Sequence, residues 1–593
     1  MTSTDNNRPD GPNSLSRQTT KLRFGPFEVD LRSRELRNRG LKVKLEQKPF
    51  QILQLLLENP GTLVTRTQLA RHLWPDLHVN FDGSLNTAVN TLRQVLGDSS
   101  RHCRYIETQP GAGYRFIASV EEIEVPRFVP VSDGDDSVVV LPFENIGGDP
   151  ETALLADGIA EDIIASLSTF GRLRIIARTT AFRFRVPDHD PVTVGNLLKV
   201  QAVLAGRIDG RGGSLRIAAE LVESRTARRL WGNQFHCPAA GIFAVQREIS
   251  AEVLKALIRS VGDVPGKLLT KPDPASFEAY QDYLKGRYFY NRMTEEDLHK
   301  SVAYFEAALA QDPRYVLAYA GLADTYSLFA FLGLLPAVEA HRRAKELALA
   351  ALRIDSELAE AHASLAGVMK LFDWDWAGAE AEYRKALQLN PNYAAAHHWY
   401  ADFLSASKRP QEALREIRRA LELDPLSLVI NMEVAWNLYM ARDLQGALEQ
   451  SWRTLALESR FAPAQHTLGL TYEQLGMHEE AITELQNARI CSGDHPATLA
   501  ALGHAYAGAG KHPEASEILQ ELDKLSQRRP VSPYWRSILY VGLGADELAF
   551  ESLNEACRER DVWLVWLGVE PRFDRLRGNS HFQELLRKIG LDR

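Results

Sequence analysis

One short segment of the chain carries side chains suited to reading nucleic acid. Between Ser84 and Leu96, apolar residues recur at helical spacing, so that one face would pack against a core. The other face carries amides, hydroxyls and a guanidinium, and the stretch contains no Asp or Glu. Such groups hydrogen-bond base edges and phosphate oxygens, which predicts contacts with DNA. The candidate residues on this face are Asn86, Thr87, Asn90, Thr91, Arg93 and Gln94.

The neighbouring elements decide between a reading helix and an ordinary solvated surface helix. Residues 22–30 have the pattern of one strand, and a first helix ends near Asn59-Pro60-Gly61. Thr65-Arg-Thr-Gln68 is a capping box, which predicts the start of a second helix. After the third helix, residues 105–116 read as a strand, a glycine-containing turn and another strand. The sequence therefore predicts an α+β winged helix-turn-helix over residues 21–120, called the head below.

No motif in the chain predicts catalysis. HExxH, GxSxG and Walker sequences are absent. Gly206 to Gly213 lacks the Gly-Lys-Ser/Thr end of a phosphate-binding loop, so we interpret it as a hairpin turn. The four cysteines form no CxxC pair, and we interpret His397-His398 as structural residues inside a helix. We therefore expect a protein that is not an enzyme and that uses no cofactor or metal.

Charge is unevenly distributed along the 593 residues. Residues 21–120 hold 15 Lys and Arg against 9 Asp and Glu, a net charge of +6, whereas the whole chain has −8. A basic head on an acidic body favours a DNA-binding module joined to a protein-binding one. Residues 1–20 are polar and read as a disordered tail, and no apolar run is long enough to cross a membrane. We expect a cytoplasmic protein.

The rest of the chain divides into an α/β region and a repeat region. Residues 121–136 are predicted to be a linker, and residues 137–260 alternate strand and helix patterns, which indicates an α/β domain. Residues 275–530 repeat with a period of 34, typical of an all-α tetratricopeptide-repeat solenoid, and residues 531–593 are expected to form a helical cap. The period is carried by the alanines Ala379, Ala413, Ala447, Ala481 and Ala515 and by the turns Asn390-Pro391 and Asp424-Pro425.

The head resembles the OmpR/PhoB-type winged-helix regulators. The pieces that carry this resemblance occur in the expected order over about 100 residues. They are Leu92-Arg-Gln-Val-Leu-Gly-Asp98, Tyr105-Ile-Glu-Thr108 and Gly113-Tyr-Arg-Phe116. A departure from the family pattern is the wing tip, Gly111-Ala112, where relatives often carry basic residues.

This resemblance implies a role for each part of the head. The third helix would enter the major groove, and the first residues of the second helix would lie against a phosphate. The wing would reach the DNA backbone or the minor groove, and the loop after the second helix would contact RNA polymerase. The residues added to the DNA interface are Thr65, Arg66, Thr67, Tyr114 and Arg115, and those of the polymerase-contact loop are Trp74, Asp76, Leu77 and His78.

The middle region resembles the TolB-like N-terminal domain. The matching pieces are Val140-Leu-Pro-Phe143, Ala156-Asp-Gly158, Leu204-Ala-Gly206, Leu230-Trp231 and Phe243-Ala-Val-Gln246. The overall plan resembles enteric invasion regulators and membrane-bound acid-sensing activators, here without a membrane helix.

We expect a one-component transcription regulator that binds promoter DNA. It would activate by contacting RNA polymerase and would use its repeats to bind a protein partner or to receive a signal. Two or more copies of the chain would bind together on DNA. The alternative is an interaction scaffold whose winged helix binds protein instead of DNA, which the Gly-Ala wing tip and the acidic composition favour.

Overall fold

The computed structural model divides the chain into two compact units, Met1–Arg127 and Phe128–Arg593. Among the residues that it describes, no helix is both long and apolar enough to span a membrane. The described residues are 21–25, 27–31, 35–38, 41–43, 45, 47–73, 82–96, 98, 103–118, 120–122, 136–185, 189–257 and 276–592.

The head combines two small sheets with three helices. Its strands are β1 (Lys21–Phe24), β2 (Phe27–Asp30), β3 (Glu35–Asn38), β4 (Leu41–Val43), β5 (Leu63–Thr65), β6 (Ile106–Gln109), β7 (Gly113–Phe116) and β8 (Glu121–Glu122). Its helices are α1 (Gln47–Leu57), α2 (Arg66–Leu73) and α3 (Asp82–Leu96). One sheet has the order β4-β3-β2-β1-β8 and the other has the order β5-β7-β6. This is the winged-helix arrangement that the sequence predicts.

Two details of the head differ from the sequence-based prediction. The single strand expected at residues 22–30 is two antiparallel strands, because the chain reverses at Gly25, whose φ is +50°. Apolar residues alternate on even positions before the turn, at Leu22 and Phe24, and on odd positions after it, at Phe27 and Val29. This change of phase at Gly25-Pro26 was the available signal for the reversal. The linker expected from residue 121 begins with β8, which pairs with β1 and so belongs to the head.

The middle region is a mixed α/β sheet with helices, as predicted. Its sheet order is β11-β9-β12-β13-β14, with β10 also beside β12. Strands β9 and β11 are parallel, whereas β12, β13 and β14 form antiparallel hairpins. The hairpin predicted at Gly206 to Gly213 is present, but only Gly212 and Gly213 form its turn, and the residues before them belong to β12. The strands are β9 (Ser137–Val140), β10 (Glu144–Asn145), β11 (Arg174–Ile175), β12 (Ala202–Arg211), β13 (Ser214–Glu223) and β14 (Arg229–Pro238). The helices are α4 (Pro150–Ser168), α5 (Arg178–Ala181), α6 (Pro191–Leu198) and α7 (Ile242–Leu257).

Residues 276–592 contain consecutive pairs of antiparallel helices. The first helix of each pair is α8 (Phe277–Tyr290), α10 (Val316–Phe331), α12 (Ala359–Val368), α14 (Ala394–Ala406), α16 (Leu428–Met440), α18 (Ala462–Gln474), α20 (Pro496–Gly508) and α22 (Pro533–Leu543). The second is α9 (Glu295–Gln311), α11 (Ala337–Ile354), α13 (Trp376–Leu389), α15 (Pro410–Leu423), α17 (Leu444–Leu457), α19 (His478–Ser492), α21 (His512–Ser526) and α23 (Asp546–Arg558).

The 34-residue period is explained by close helix packing. All five periodic alanines are completely buried. At Gly469 a Cβ atom would lie only 2.6 Å from the Leu485 side chain, so this position of the repeat also requires a very small residue. Helices can approach closely only where such residues meet, and a regular spacing of small residues therefore produces a regular stack.

The turns between repeats also bind the middle region. The Asn392 amide donates to the carbonyl oxygens of Ser168, at 3.0 Å, and Leu173, at 2.9 Å. In the next repeat, the Thr180 hydroxyl donates to the Asp424 carboxylate at 2.6 Å. Buried polar groups need such partners, and here each region supplies the partners of the other. The α/β region and the repeats therefore form one packed unit.

The C-terminal segment differs from the expected cap. Helices α22 and α23 continue the stack, but the residues after them fold back onto much earlier repeats. The Trp376 indole donates to the carbonyl oxygen of Ile589 at 2.7 Å, and the Tyr439 hydroxyl donates to Glu570 at 3.1 Å. This segment contains the 3-10 turns Val562–Trp566 and Pro571–Leu576 and helix α24 (Ser580–Lys588). It covers the start of α13 and the end of α16, which lie in the middle of the array.

The buried Asp424 contact makes stability depend on pH. Burial raises the pKa of Asp424 to about 6, although the Thr180 hydroxyl opposes this shift. Because an unfolded aspartate ionises near pH 4, the carboxyl costs stability progressively between about pH 4 and 6, by about 2–3 kcal/mol in total. We expect Asp424→Asn to remove this loss, so that the variant gains relative stability above pH 6 and little at pH 4.

Thermal unfolding of the full chain at pH 4, 5 and 7 measures this effect. The matched control is Asp355→Asn, since Asp355 lies in the corresponding turn of an earlier repeat and is only half-buried. A stability difference between Asp424→Asn and the parent chain that stays constant from pH 4 to 7 would contradict the prediction.

Candidate nucleic-acid interface

Helix α3 presents two chemically different faces. Leu85, Val89, Leu92 and Leu96 are buried in the core of the head. The side chains of Asn86, Thr87, Asn90 and Gln94 are exposed, whereas Thr91 is half-buried and its hydroxyl donates to the carbonyl oxygen of Thr87. The predicted polar face is thus present on a helix held by its apolar face.

Arg93 does not lie on the exposed face of α3 where the sequence predicts it. We expected Arg93 beside Asn86 and Asn90 in solvent, but only 6% of it is exposed. Its guanidinium donates to the carbonyl oxygen of Ile106 at 2.8 Å and to the Thr108 hydroxyl at 2.7 Å. The long side chain reaches around the helix to β6, which helical spacing alone does not reveal. Arg93 therefore joins the third helix to the wing.

Asn86 has a defined orientation. Its Oδ1 accepts from the Arg66 guanidinium at 2.8 Å and from the Tyr114 hydroxyl at 3.0 Å. Because arginine has only donors, the oxygen of the Asn86 amide must face this pair and its NH2 group must point elsewhere. Tyr114, which we predict to contact DNA, is itself buried, with 3% exposed, and its hydroxyl is bonded to Asn86 and Arg66.

The start of α2 is capped as the sequence predicts. The Thr65 hydroxyl accepts from the backbone N–H of Gln68, and the Gln68 side chain accepts from the backbone N–H of Thr65. The Arg66 backbone N–H donates to the carbonyl oxygen of Ala112 in the wing turn. Two N–H groups of the first turn are therefore already bonded, which leaves fewer for a phosphate than a bare helix end offers. Thr67 is exposed.

Strand β7 of the wing pairs with β5, and the two backbones are very close at Gly113. At Gly113, a Cβ atom would lie 2.1 Å from the carbonyl oxygen of Val64, so only glycine fits. The Arg115 guanidinium lies 3.3 Å from the Glu107 carboxylate on the neighbouring strand, and both side chains are partly exposed. Arg115 therefore remains accessible to solvent, but the Glu107 carboxylate would compete with a DNA phosphate for its guanidinium.

Asp98 is a structural residue to which the sequence pattern assigns no role. Its carboxylate accepts from the backbone N–H groups of Arg104, at 2.7 Å, and Ile106, at 2.8 Å. It fixes the connection from α3 to β6, and its position two residues after the end of α3 was the available signal. The predicted polymerase-contact residues lie outside the described part of the chain.

Comparisons with known proteins agree with this geometry. Residues 40–116 match the family described as "Transcriptional regulatory protein, C terminal", and residues 375–431 and 462–488 match tetratricopeptide-repeat families. The chain is 23% identical over 567 residues to "Transcriptional regulator HilA" of Salmonella typhimurium, which covers 94% of this chain and 98% of that protein.

Shorter similarities concern part of the chain. The chain is 35% identical over 83 residues to the "Cholera toxin transcriptional activator" of Vibrio cholerae, covering 14% of this chain and 28% of that protein. It is 38% identical over 121 residues to "Putative adenylate cyclase 3" of Rhizobium meliloti, covering 20% and 21%, a match to the DNA-binding domain alone. The solved RstA DNA-binding domain of Klebsiella pneumoniae, in complex with the RstA box, is 27% identical, with a TM-score of 0.16, and covers 16% of this chain and 96% of that one.

The head is therefore a winged-helix DNA-binding domain of the OmpR type. The chain is a transcriptional regulator that joins this domain to a mixed α/β region and tetratricopeptide repeats, and it is similar to HilA over almost its full length.

The role of Arg93 can be tested by Arg93→Met, which keeps length and removes both hydrogen bonds. The buried carbonyl of Ile106 then loses a charged donor, at a cost of about 1–3 kcal/mol. We expect faster amide hydrogen exchange in β6 and β7, measured by mass spectrometry on the full chain. Gln94→Met, the same change at the exposed neighbour, should leave exchange unaltered, and equal exchange in both variants would refute the assignment.

Proposed function

We propose that the chain is a one-component activator that binds promoter DNA sequence-specifically through α3 in the major groove. The observation that carries this proposal is the exposed face of α3, where amides and hydroxyls are presented by a helix that contains no carboxylate from Leu85 to Leu96. Asn90 and Gln94 lie one turn apart on this face, and amide side chains are suited to base edges.

Asn86 has a narrower role in this proposal. An asparagine that reads adenine uses its oxygen and its NH2 group together. Since the Asn86 oxygen already accepts from Arg66 and Tyr114, only the donor remains. We therefore assign Asn86 to an acceptor on DNA, either a phosphate oxygen or an acceptor atom of a base.

The remaining predicted residues are assigned by exposure. Thr65, Arg66 and Thr67 are proposed to contact a phosphate, and Arg115 is proposed to contact the backbone beside the wing. Arg93 and Tyr114 are proposed to act indirectly by positioning the helix and the wing. Thr87 and Thr91 complete the reading face.

Activation is proposed to involve RNA polymerase, through the loop that holds Trp74, Asp76, Leu77 and His78. The resemblance of this loop to the polymerase-contact segment of OmpR/PhoB-type regulators supports the proposal. The name of the Vibrio cholerae relative, a transcriptional activator, also supports it.

The middle region is proposed to be a TolB-like domain that, together with the repeats, receives the signal or partner. Since α3 exposes no arginine, few cations are available on the reading helix, and we propose that two or more copies bind adjacent sites. The same scarcity of exposed cations favours the second candidate, a scaffold whose winged helix binds protein.

Selection of random duplex DNA by the full chain separates the two candidates. We expect a consensus sequence whose binding weakens steeply with salt, because phosphate contacts release counterions. Asn90→Ala should lower affinity for the consensus by about 1–3 kcal/mol. Asn59→Ala changes an exposed asparagine of the same domain that is not part of α3, and this variant should bind as the parent does. Absence of any enriched sequence from the folded protein would favour the scaffold.

If Asn86 donates a hydrogen bond to DNA, its aspartate variant should have a lower DNA affinity than its alanine variant. Asn86→Asp keeps an acceptor for Arg66 but directs a second carboxylate oxygen at the DNA acceptor. We expect its affinity to be lower than that of Asn86→Ala, which only removes the contact. Equilibrium binding at one fixed salt concentration tests this order, and an Asp variant that binds better than the Ala variant would exclude a donor role.

A further inference from the structure

A polar cluster lies between the first helices of two neighbouring repeats. His398 and Asp402 are one turn apart on α14, and Glu433 faces them from α16. Their side chains are only 12%, 15% and 16% exposed. The three ligand atoms all lie within 4.8 Å of one another. Burial of ionisable groups lowers the stability of the fold unless each group has a hydrogen-bond partner or a neighbouring cation.

The two adjacent histidines differ in their surroundings. His397 is bonded through both ring nitrogens, Nδ1 to the Glu416 carboxylate at 2.6 Å and Nε2 to the carbonyl oxygen of Pro391 at 3.1 Å. This bears out the structural interpretation of His397. By contrast, the Nε2 atom of His398 is buried and has no hydrogen-bond partner among the described residues. A purely structural role through hydrogen bonds therefore explains His397 but not His398.

The spacing around His398 suits an ion better than a hydrogen bond. Its Nε2 lies 3.7 Å from Oδ2 of Asp402 and 3.8 Å from Oε1 of Glu433, too far for hydrogen bonding. Ligands at about 2.1 Å from a tetrahedral metal are about 3.4 Å apart, so a contraction of about 0.3–0.4 Å would bring His398 to that spacing from each carboxylate. The other Glu433 oxygen, Oε2, is also buried without a hydrogen-bond partner in the described chain.

A further contact orients the aspartate. The Asn437 amide donates to Oδ1 of Asp402 at 3.4 Å, which leaves Oδ2 turned toward His398. Hydrogen bonds that hold the second oxygen of a ligating carboxylate are typical of metal sites. One imidazole and two carboxylates are ligands that first-row divalent transition metals accept.

We propose that His398, Asp402 and Glu433 bind one divalent transition-metal ion within the repeat array. This site goes beyond the proposed function, which assigns no metal, and does not depend on DNA binding. The remaining exposure of all three side chains gives an ion access, and positions not filled by these residues would hold water or a ligand.

Lys370 is the main competitor for this charge. It is 95% buried in the π-helical turn Met369–Asp373 and interacts electrostatically with Asp402 and Glu433. Its ammonium supplies one positive charge beside the two carboxylates. A proton within the cluster would reduce the negative charge further, and the experiment must therefore separate proton from metal binding.

The test is a titration of the chelator-treated full chain with Co2+, followed by visible absorption, and with Zn2+, followed by calorimetry. We expect one ion per chain in both titrations. His398→Gln, Asp402→Asn and Glu433→Gln should each weaken binding by about 10- to 100-fold or more, since even changes in outer-shell partners reach that range. Lys370→Met should strengthen binding, because it removes a competing cation.

His397→Gln is the matched control and should leave the metal affinity unchanged. X-ray absorption of the Zn2+-loaded parent chain provides a readout that needs no variant, and we expect imidazole and oxygen ligands without sulfur. Failure to bind either ion, sulfur ligation, or ligand variants that bind as the parent does would each overturn the proposal and leave His398 as a site for a proton only.

Discussion

The reading face of α3 depends on the way its opposite side and its C-terminal end are bonded to the wing. The head is small, so its apolar core alone gives the helix limited orientational restraint. Arg93 adds a buried charged donor to β6, and Asp98 fixes the connection between them. Tyr114 then links β7 to Asn86 and Arg66, which come from α3 and α2. The three elements that would meet DNA are therefore joined by hydrogen bonds, and an asparagine at the surface is oriented before any base is present.

In the second unit, too, apolar packing sets the spacing of the elements and polar side chains join them to other parts of the chain. Its buried alanines set how closely the helices pack, while polar side chains in the turns decide what else packs against them. Asn392 and Asp424 sit in turns that any tetratricopeptide repeat would have, yet here they bond backbone and hydroxyl groups of the middle region. The C-terminal segment uses Trp376 and Tyr439 in the same manner on the ends of helices. Several turns and helix ends of the array are therefore already bonded to other parts of the same chain and are not free to bind an outside peptide.

Local and periodic features of this structure could be predicted from the sequence, whereas long-range polar pairs could not. The apolar face of α3, the capping box at Thr65 and the 34-residue spacing of buried alanines are properties of neighbouring residues, and each appears where the pattern indicates. The prediction that Arg93 is exposed is wrong because its hydrogen-bond partners lie 13 and 15 residues further along the chain, on β6. Helical spacing gives no information about where that strand lies. Asn392 bonds groups more than 200 residues distant, and nothing local distinguishes it from an ordinary turn residue. The difference between His397 and His398 is likewise visible only once adjacent repeats are packed.

The loss of Arg93 from the exposed face changes how the head would achieve affinity. Non-specific attraction to DNA grows with the number of phosphates that cations neutralise, and α3 contributes none. Arg66 shares its guanidinium with Asn86 and Tyr114, and Arg115 lies beside Glu107. Helix α3 thus offers amides for discrimination and no exposed cation for strength, which is why we propose that several heads bind one stretch of DNA. The acidic remainder of the chain reinforces this requirement, because its net charge of −14 can only oppose association with phosphates. The proposals that amides give specificity and that several bound copies give affinity therefore rest on the same composition.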